Sequence, residues 1–413
     1  MPFENISMHL KNALVLVIDR LGAAYLGPYG NTWIDTPNWN RLAAESFLFD
    51  FALADSPRLA AVYRSYWQGA HAMSAAASGD DLARRMQRAG LHTTLLTDDP
   101  LVSELAGAGS FQERIFVPVA APAAAAPAIE QTQFAQIFSA AIQTLQQPRT
   151  PSLTWIHAQG LQGLWDAPPA FRNQFAEEED PLPPAFVVPP QKRLVKPFDP
   201  DELLGVTHAY AGQVALLDLC LGVLLDALAA CDDADRPLLI VTSPRGYPLG
   251  EHGLLGHGDD SLHGESLNVP CLIRFPDQAH AAQRARELIQ PPDLFATLLD
   301  WVQALPGGDR SWGQSLLPLI RGQWQPARDR AAAIVGKHQA IRTPTWSLLR
   351  HPDGSRELFA KPDDRWEVNE ISQRCEQVAN ALEQALNQFQ QTVQAGRPAD
   401  LAPLPELLTV RQG

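Results

Sequence analysis

The chain has 413 residues, of which 46% are hydrophobic and 19% are charged, and its formal net charge at pH 7 is −14. This length suits one large α/β domain with a smaller appended unit, and the composition is typical of a globular protein. The excess of acidic side chains repels nucleic-acid phosphates and anionic lipid headgroups. Neither nucleic acid nor an anionic membrane is therefore expected as a general partner.

The start of the chain gives an expectation about its location. Residues 1–11 have neither the basic start nor the apolar run of a signal peptide, and no uninterrupted apolar stretch is expected to cross a bilayer. The cysteines, at positions 220, 231, 271 and 375, are scattered without the spacing of a metal site. These features predict a cytoplasmic protein without a membrane anchor.

The first predicted element is a strand over residues 13–18, which read A-L-V-L-V-I. A run of aliphatic and β-branched residues of this length predicts a strand buried on both faces of a parallel sheet. Asp19 follows it directly. In open α/β sheets, ligands bind just beyond the carboxyl ends of the strands, so Asp19 is a candidate site residue.

The remaining elements follow from hydrophobic periodicity and from glycine and proline signals. Strands are predicted at residues 47–54, 91–97, 152–157, 238–242, 271–275, 346–350 and 357–359. Helices are predicted at residues 38–45, 57–69, 79–89, 135–145, 208–230 and 294–302. Residues 117–129 and 177–201, which are rich in proline, are predicted to form surface loops.

The end of the chain has the pattern of a small separate unit. Apolar residues recur at helical intervals from Ile371 to Val393, which predicts an amphipathic closing helix. The strands at 346–350 and 357–359 are expected to belong to an antiparallel sheet beside it. The predicted domains are therefore residues 1–330 and 331–413.

One long stretch carries a family resemblance. Residues 26–57 read L-G-P-Y-G-N-T-W-I-D-T-P-N-W-N-R-L-A-A-E-S-F-L-F-D-F-A-L-A-D-S-P. This run closely resembles the opening of the sulfatases, within the alkaline-phosphatase-like superfamily, and residues 84–99, 155–168, 238–276, 313–322 and 340–357 resemble later parts of the same family. The resemblance implies an α/β fold with a mainly parallel sheet sandwiched by helices and a small C-terminal antiparallel subdomain.

The resemblance also locates the position of the catalytic nucleophile. Sulfatases attack sulfur with a formylglycine made from Cys or Ser in a C/S-x-P-x-R motif. When the Ser56-Pro57 pair is matched to the family, the nucleophile position falls on Leu59 and the arginine of the motif becomes Tyr63. Leucine has no lone pair and cannot be oxidised to an aldehyde, so formylglycine is predicted to be absent. Ser56 and Ser65 are nearby hydroxyls without an activating context.

The metal positions of the family are changed as well. Sulfatases hold calcium with an Asp-Asp pair after the first strand and an Asp-His or Asp-Asn pair after a later one. The corresponding pairs here are Asp19-Arg20 and Pro244-Arg245. Calcium takes several oxygen ligands, and arginine side chains repel it. The calcium of the family is therefore also predicted to be absent.

The positions that handle the sulfate group differ too. Gln162 stands where the family has a histidine, His257 stands where it has a lysine, and Trp165 is expected to form the pocket wall. The scaffold motifs are kept while nearly every reactive position is changed. This separation favours a catalytically inactive pseudo-sulfatase that binds an anionic ligand or a protein partner.

Two interpretations of the arginines remain open. In one, Asp19 forms an ion pair with Arg20 or Arg245 that fills the former metal position, because a buried charge needs a partner. In the other, Arg20 and Arg245 join Arg58, His257 and the Trp165 wall in a pocket for a sulfate- or phosphate-bearing small molecule, since guanidinium groups bind such anions well.

The loop 251–265 has residue types that could hold a relocated metal. It contains His252, His257, Asp259 and Asp260, although solvated loop side chains are the simpler interpretation. His157 lies within a predicted strand and is interpreted as a hydrogen-bonded core residue.

Two further functions are compatible with the resemblance. One is an active sulfuric or phosphoric ester hydrolase with an unconventional nucleophile or metal site. The second is a subunit that pairs with an active homologue. An assay of ester hydrolysis separates the first of these from a pseudo-sulfatase.

Overall fold

The structure is a computed structural model that describes residues 11–74, 81–119, 124–147, 151–233, 235–256, 261–304, 312–323, 328–397 and 400–410. Within these residues, a mixed sheet of nine strands is packed between helices, and a four-stranded antiparallel sheet follows near the end of the chain. The predicted α/β class, with a mainly parallel sheet and a small antiparallel unit, is confirmed.

The elements are numbered in chain order. The strands are β1 (Ala13–Ile18), β2 (Phe47–Leu53), β3 (His92–Thr97), β4 (Glu113–Phe116), β5 (Ser152–Ala158), β6 (Lys192–Arg193), β7 (Leu238–Thr242), β8 (Leu254–Leu255), β9 (Asn268–Val269), β10 (Cys271–Arg274), β11 (Gln283–Ile289), β12 (Ala331–Val335), β13 (His338–Arg342), β14 (Trp346–Arg350) and β15 (Arg356–Ala360). The α-helices are α1 (Pro37–Ala44), α2 (Leu59–Gln68), α3 (Leu82–Arg88), α4 (Pro100–Glu104), α5 (Gln133–Leu145), α6 (Pro169–Asn173), α7 (Pro200–Ala229), α8 (Gly264–Leu267), α9 (Pro291–Trp301), α10 (Leu317–Ile320), α11 (Glu376–Gln394) and α12 (Glu406–Thr409).

The large sheet has the strand order β11-β2-β10-β7-β1-β5-β3-β4, with β9 paired to β2. β1 lies in the middle and is parallel to both β5 and β7, and β3 is parallel to β5 and β4. β10 runs antiparallel to its neighbours β7 and β2. The carboxyl ends of β1, β3, β5 and β7 therefore meet at one edge, where the segments that follow them come together.

The apolar run of β1 is explained by two cores, one on each face of the sheet. Ala13, Val15 and Val17 belong to one buried cluster, which includes the inner faces of α2 and α9. The alternate residues of β1 belong to the other cluster, which is largely built from α5 and α7. Because successive side chains of a strand point to opposite faces, a central strand covered on both sides must be apolar at every position.

The long helix α7 covers one face of the sheet and is buried over most of its length. By length and composition it contains a window apolar enough to cross a membrane, which was not expected from the sequence, but 72% of that window is buried inside the fold. Such burial is typical of a core helix. The helix begins at Pro200, ahead of the predicted residue 208, because the Asp199 side chain accepts a hydrogen bond from the Asp201 amide and caps it.

The C-terminal unit is a sheet in the order β12-β13-β14-β15 with α11 packed against it. The apolar stripe predicted for the closing helix is buried, from Val378 to Val393. A further core cluster joins Leu53 and Leu267 of the large domain to Ala333 and Phe359 of the small sheet. The two predicted domains therefore share a packed interface, and the boundary at residues 330 and 331 stays a prediction.

Three strands of the large sheet were not predicted from the sequence, the two-residue strand β9 and the edge strands β4 and β11. β4 and β11 lie at its two edges, and both carry charged residues. Edge strands are often charged, because the charges discourage pairing with another chain. Because of these charges, β4 and β11 lack the apolar run by which the central strands were predicted.

Candidate functional site

The candidate site is the edge of the sheet at which β1, β3, β5 and β7 end. Asp19 extends β1 there, and its backbone N–H donates to the Ala158 carbonyl at 3.1 Å. Asp99 follows the end of β3, and His157 is the second-last residue of β5. The ligand atoms of Asp19, Asp99 and His157 all lie within 4.8 Å of one another, and all three residues are buried. The fold therefore gathers three potential metal ligands at the position where the family holds its cation.

An arginine occupies this group. The Arg245 guanidinium donates to both oxygens of Asp19, from Nε to Oδ1 at 2.9 Å and from Nη2 to Oδ2 at 2.9 Å. Its Nη1 donates to the Pro57 carbonyl at 3.0 Å, immediately before α2. The side chain of Asp19 is completely buried, and that of Arg245 is 6% exposed. The ion pair predicted between Asp19 and one of the two arginines forms with Arg245.

This arrangement does not fit the calcium of the family. Calcium takes six to eight oxygen ligands at about 2.3–2.6 Å. Here the Asp19 oxygens both accept from a guanidinium, and Pro244, which matches a family carboxylate, is a buried residue without an oxygen in its side chain. The guanidinium supplies the positive charge that the carboxylate requires.

Arg20 follows Asp19 in the chain and is turned towards protein acceptors. Its Nε donates to Gln162 Oε1 at 3.0 Å, and its Nη1 donates to the Gly246 carbonyl at 3.3 Å. Its own carbonyl accepts from the Tyr210 hydroxyl at 3.0 Å. Arg20 is 2% exposed and has a φ of 63°, a left-handed conformation that is unfavourable for arginine. The surrounding hydrogen bonds hold it in this conformation.

A relay of hydrogen bonds runs from Tyr63 to Asp99 through His157. The Tyr63 hydroxyl lies 2.5 Å from His157 Nδ1, and His157 Nε2 lies 3.3 Å from Asp99 Oδ2. If the phenol donates to Nδ1, the imidazole proton is on Nε2 and points to Asp99. His157 is fully buried and hydrogen-bonded at both nitrogens, as expected of a core histidine.

The pKa shifts define what this relay can do. Burial raises the pKa of Tyr63 well above its ordinary value, so its hydroxyl is a neutral donor. Although burial opposes ionisation of Asp99, the hydrogen bond and charge of His157 hold the pKa of this carboxyl below its usual value. Asp99 is thus a carboxylate that orients His157. The relay fixes the end of β5 against α2, and its phenol is neutral.

The nucleophile position contains only apolar or already bonded groups. Leu59 is the first residue of α2 and belongs to the core beneath it, with 7% of its surface exposed. The hydroxyl of Ser65 donates to Asp55 Oδ2 at 2.6 Å and lies 2.7 Å from the Ala70 carbonyl. The Ser56 hydroxyl accepts from the Arg58 backbone N–H at 3.2 Å, and both serines are buried. These hydroxyls bond to local groups and do not face an open cleft.

The other predicted ligand-binding residues are dispersed. Trp165 was expected to form the pocket wall, but it has no exposed surface, and its ring packs against Tyr210 and Tyr247. These aromatic residues, distant in the chain, enclose it, so it supports the site from within the core. Arg58 is exposed at the start of α2. His257 lies outside the described residues, as do Asp259 and Asp260 of the loop considered for a relocated metal.

Asp98 and Asp99 belong to the site but were not predicted from the sequence as its members. The Asp98 carboxylate accepts from the Gln159 backbone N–H at 2.7 Å and from the Gln133 side chain at 3.0 Å, which ties β3 to β5 and α5. The available signal was the Thr97-Asp98-Asp99 sequence after an apolar strand, which repeats the strand-then-aspartate pattern of Asp19.

The fold is of the alkaline-phosphatase-like class, as a comparison with two solved structures shows. A phosphonate monoester hydrolase of Agrobacterium radiobacter superposes with a TM-score of 0.77 at 18% identity, covering 93% of this chain and 96% of that one. The structure of a protein bound to its substrate, D-glucosamine-2-N,6-O-disulfate, superposes with a TM-score of 0.75 at 17% identity, covering 95% of this chain and 100% of that one. At these identities the likeness establishes the fold alone.

Sequence profiles identify the family within that class. The Sulfatase profile matches residues 11–304, which is more than half of the chain. The chain therefore belongs to the sulfatase family, and the resemblance seen in the sequence is confirmed. A second profile, N-sulphoglucosamine sulphohydrolase, C-terminal, matches residues 250–392 and extends the likeness into the small antiparallel unit.

Curated relatives share shorter segments with the chain. The multifunctional alkaline phosphatase superfamily protein PehA of Trinickia caryophylli is 32% identical over 127 residues, which is 30% of this chain and 24% of that protein. An N-acetylglucosamine-6-O-sulfatase of Bacteroides thetaiotaomicron is 26% identical over 174 residues, which is 39% of this chain and 29% of that protein. The aligned segments span less than a third of either relative.

Proposed function

We propose that this member of the sulfatase family is a non-hydrolytic pseudo-sulfatase that acts by binding. The observation that supports the proposal most directly is the bidentate Arg245–Asp19 pair at the position of the family cation. A cation that polarises the ester and activates the nucleophile is central to hydrolysis in this class. Leu59 at the nucleophile position removes the second requirement, since its side chain has no atom that can attack sulfur or phosphorus.

The buried arginines also bear on what is bound. Arg20 and Arg245 both donate to acceptors within the protein and have at most 5% of their surface exposed. An anion at this position would have to replace Asp19 or the backbone carbonyls as their partner. This favours a protein partner, including an active homologue, over a sulfate- or phosphate-bearing small molecule in the cleft. The acidic balance of the chain supports neither nucleic acid nor an anionic membrane as the partner.

The proposal is tested by hydrolysis and by binding. The purified chain is incubated with 4-nitrophenyl sulfate, 4-nitrophenyl phosphate and a phosphonate monoester, with and without added calcium. We expect no release of nitrophenol above that of an Asp19→Asn variant prepared in parallel, which controls for contaminating hydrolases. Turnover that is present in the native chain and absent from the variant would refute the non-hydrolytic function.

One observation keeps an active hydrolase as the second candidate. The Tyr63–His157–Asp99 relay has the order of groups that activates a hydroxyl nucleophile, with the hydroxyl 2.5 Å from the imidazole. Tyr63 is only 1% exposed, and burial raises its pKa, which argues against this role. A Tyr63→Phe variant is therefore included in the same assays. If the native chain is active and Tyr63→Phe is not, the relay is catalytic and the first candidate is wrong.

A further inference from the structure

A cavity of about 60 Å³ lies between the large domain and the small antiparallel sheet. Much of its wall is apolar and comes from both units, with Leu53 and Leu267 on one side and Ala333 and Ala340 on the other. None of the described residues that line it belongs to the Asp19 site. Polar side chains from three different strands also line this cavity, namely those of Asn268, Arg342 and Ser347.

The strand pairing explains why these polar side chains meet. Arg342 at the end of β13 lies directly opposite Ser347 of β14, and side chains at directly opposite positions project from the same face of a sheet. Ala340, two residues before Arg342, belongs to the core cluster between the two units, so this face is turned towards the large domain. Asn268 approaches from the other side, since it belongs to β9 and is paired with Leu53 of β2.

The three side chains carry hydrogen-bond donors that the fold does not use. Arg342 Nη1 donates to the Thr343 carbonyl and to the Trp346 carbonyl at 3.1 Å, but its Nε and Nη2 have no hydrogen-bond acceptor among the described residues. Ser347 is only 5% exposed, and within the described part of the chain neither its hydroxyl nor the side-chain amide of Asn268 has a hydrogen-bond partner. Buried polar groups in native structures are nearly always hydrogen-bonded, so these donors indicate a bound acceptor.

The charged groups that line the cavity indicate the sign of that acceptor. Among the described residues of the lining, Arg342, Lys361 and Arg365 are cations, and Glu367 is the one carboxylate. Glu367 is already paired with Lys361, from Nζ to Oε1 at 3.0 Å, and both side chains are buried. Burial lowers the pKa of Arg342 to about 10 and also lowers that of Lys361, although the charge of Glu367 opposes both shifts. Both remain cations at neutral pH, so the lining has an excess of positive charge that an anion would balance.

The volume of the cavity limits the anion to a small one. A water molecule needs about 10–15 Å³ of such volume, so a cavity of 60 Å³ accommodates about four to six atoms of this size. A phosphate or sulfate ion has these dimensions. Guanidinium groups bind such oxyanions through two parallel N–H donors, and hydroxyl and amide groups can donate to the remaining oxygens.

A larger cavity adjoins the small one. Its volume is about 750 Å³, and Phe51, Asn268 and Pro362 are among the residues that line both cavities. A cavity of this size admits small molecules. An ion can therefore reach the enclosed donors through it.

We propose that this cavity binds an inorganic oxyanion, phosphate or sulfate, through the free guanidinium donors of Arg342, the Ser347 hydroxyl and the side-chain amide of Asn268. The ion balances the excess positive charge of the lining. It also links β9 of the large domain to β13 and β14 of the small sheet, so it stabilises the contact between the two units. This site does not depend on whether the Asp19 site hydrolyses esters.

Anion titration of the full chain tests the proposal. The chain is dialysed into a buffer free of phosphate and sulfate, and its calorimetric binding and melting temperature are measured with sodium phosphate, sodium sulfate and, at matched ionic strength, sodium chloride. We expect one equivalent of phosphate or sulfate to bind with a dissociation constant below about 1 mM and to raise the melting temperature in a saturable way. No binding of either ion at about 10 mM, or an equal rise in melting temperature with chloride, would overturn the proposal.

Variants locate the bound ion. Arg342→Met should weaken binding at least tenfold, and the milder Ser347→Ala, which keeps the charge, should weaken it about threefold or more. Arg356→Met is the control, because this arginine of β15 is bonded to Asn380 and Glu383 of α11 and does not line the cavity. Its affinity should equal that of the native chain. Unchanged affinity in folded Arg342→Met or in Ser347→Ala would overturn the assignment.

Hydrogen–deuterium exchange provides a second readout that requires no variant to fold. Saturating phosphate or sulfate should slow amide exchange in residues 268–269 and in the β13–β14 hairpin, because the ion contacts both units. The exchange of α5, which does not line the cavity, should stay the same. Slower exchange in only one of the two units would contradict an ion held between them.

Discussion

Replacing Arg245 by methionine is expected to destabilise the protein strongly, because Asp19 would remain buried without its partner. The substitution removes two hydrogen bonds of 2.9 Å to the carboxylate and one of 3.0 Å to the Pro57 carbonyl. The Asp19 side chain is completely buried, so water cannot take the place of the guanidinium. Removing one member of a buried ion pair costs about 3–5 kcal/mol. We therefore expect Arg245→Met to lower the free energy of unfolding by about 3–5 kcal/mol.

The measurement is a double-mutant cycle by urea denaturation, followed by tryptophan fluorescence and far-ultraviolet circular dichroism. Asp19→Leu alone should also destabilise, since it leaves the Arg245 charge buried. The double variant should cost less than the sum of the two single changes, because no unpaired charge remains. Arg58→Met, an exposed arginine nearby, is the control and should change stability by no more than about 0.5 kcal/mol. Additive costs, or a loss below about 1 kcal/mol for Arg245→Met, would refute the reasoning.

Three further predictions concern groups elsewhere in the large domain. Tyr63→Phe leaves His157 Nδ1 without its hydrogen-bond partner and should cost about 1–3 kcal/mol in urea denaturation; a neutral effect would mean that the relay does not stabilise the fold. Burial raises the pKa of Asp55 to about 7, whereas an aspartate in the unfolded chain has a pKa of about 4. The proton that Asp55 retains in the folded chain therefore contributes fully to stability below about pH 4, and this contribution is lost as the pH rises through 7. Asp55→Asn should flatten the pH dependence of stability between pH 4 and 7, and an unchanged slope would contradict the assignment. Gly212→Ala places a Cβ 2.7 Å from the Phe171 carbonyl oxygen and should cost about 1–3 kcal/mol by thermal denaturation, because Gly212 lies inside α7 without a left-handed φ and the steric contact is the cause; a stabilising effect would contradict this reasoning.

The centre of the fold was predictable because its signals are local. β1 contains no polar residue over its whole length. Only a strand that is covered on both faces requires such a pattern. Asp19 directly after it marks the site edge, and a buried carboxylate beside two arginines in the family positions predicts an ion pair. The sequence could not decide between Arg20 and Arg245. The choice depends on where the segment after β7 turns, and this segment carries Arg245 towards Pro57.

The rest of the site depends on contacts that no local pattern encodes. Tyr63 and His157 are 94 residues apart in the chain and meet because α2 packs across β5. Trp165 stands two residues after Gly163 in a loop and gives no sequence sign that Tyr210 and Tyr247 will enclose it. His263 and Glu357 are 94 residues apart and likewise meet across the two units, with His263 Nε2 3.1 Å from Glu357 Oε2. Such groupings are fixed by tertiary packing, which is why they appear only in the folded chain.

If the site is non-hydrolytic, as we propose, the pairing of Asp19 with Arg245 determines which changes would be needed for hydrolysis. A thiol introduced by Leu59→Cys would supply an atom able to attack, but the guanidinium would still occupy both Asp19 oxygens and exclude a cation. Replacing Arg245 alone would free the carboxylate, but one aspartate with His157 and Asp99 provides fewer oxygens than calcium requires. Leu59→Cys alone supplies a nucleophile but leaves the cation position blocked. Replacement of Arg245 alone leaves the nucleophile missing, and it also leaves the buried charge of Asp19 without its partner. The proposed non-hydrolytic site is therefore a stable arrangement, because the ion pair that would oppose a cation also holds the buried charge of Asp19.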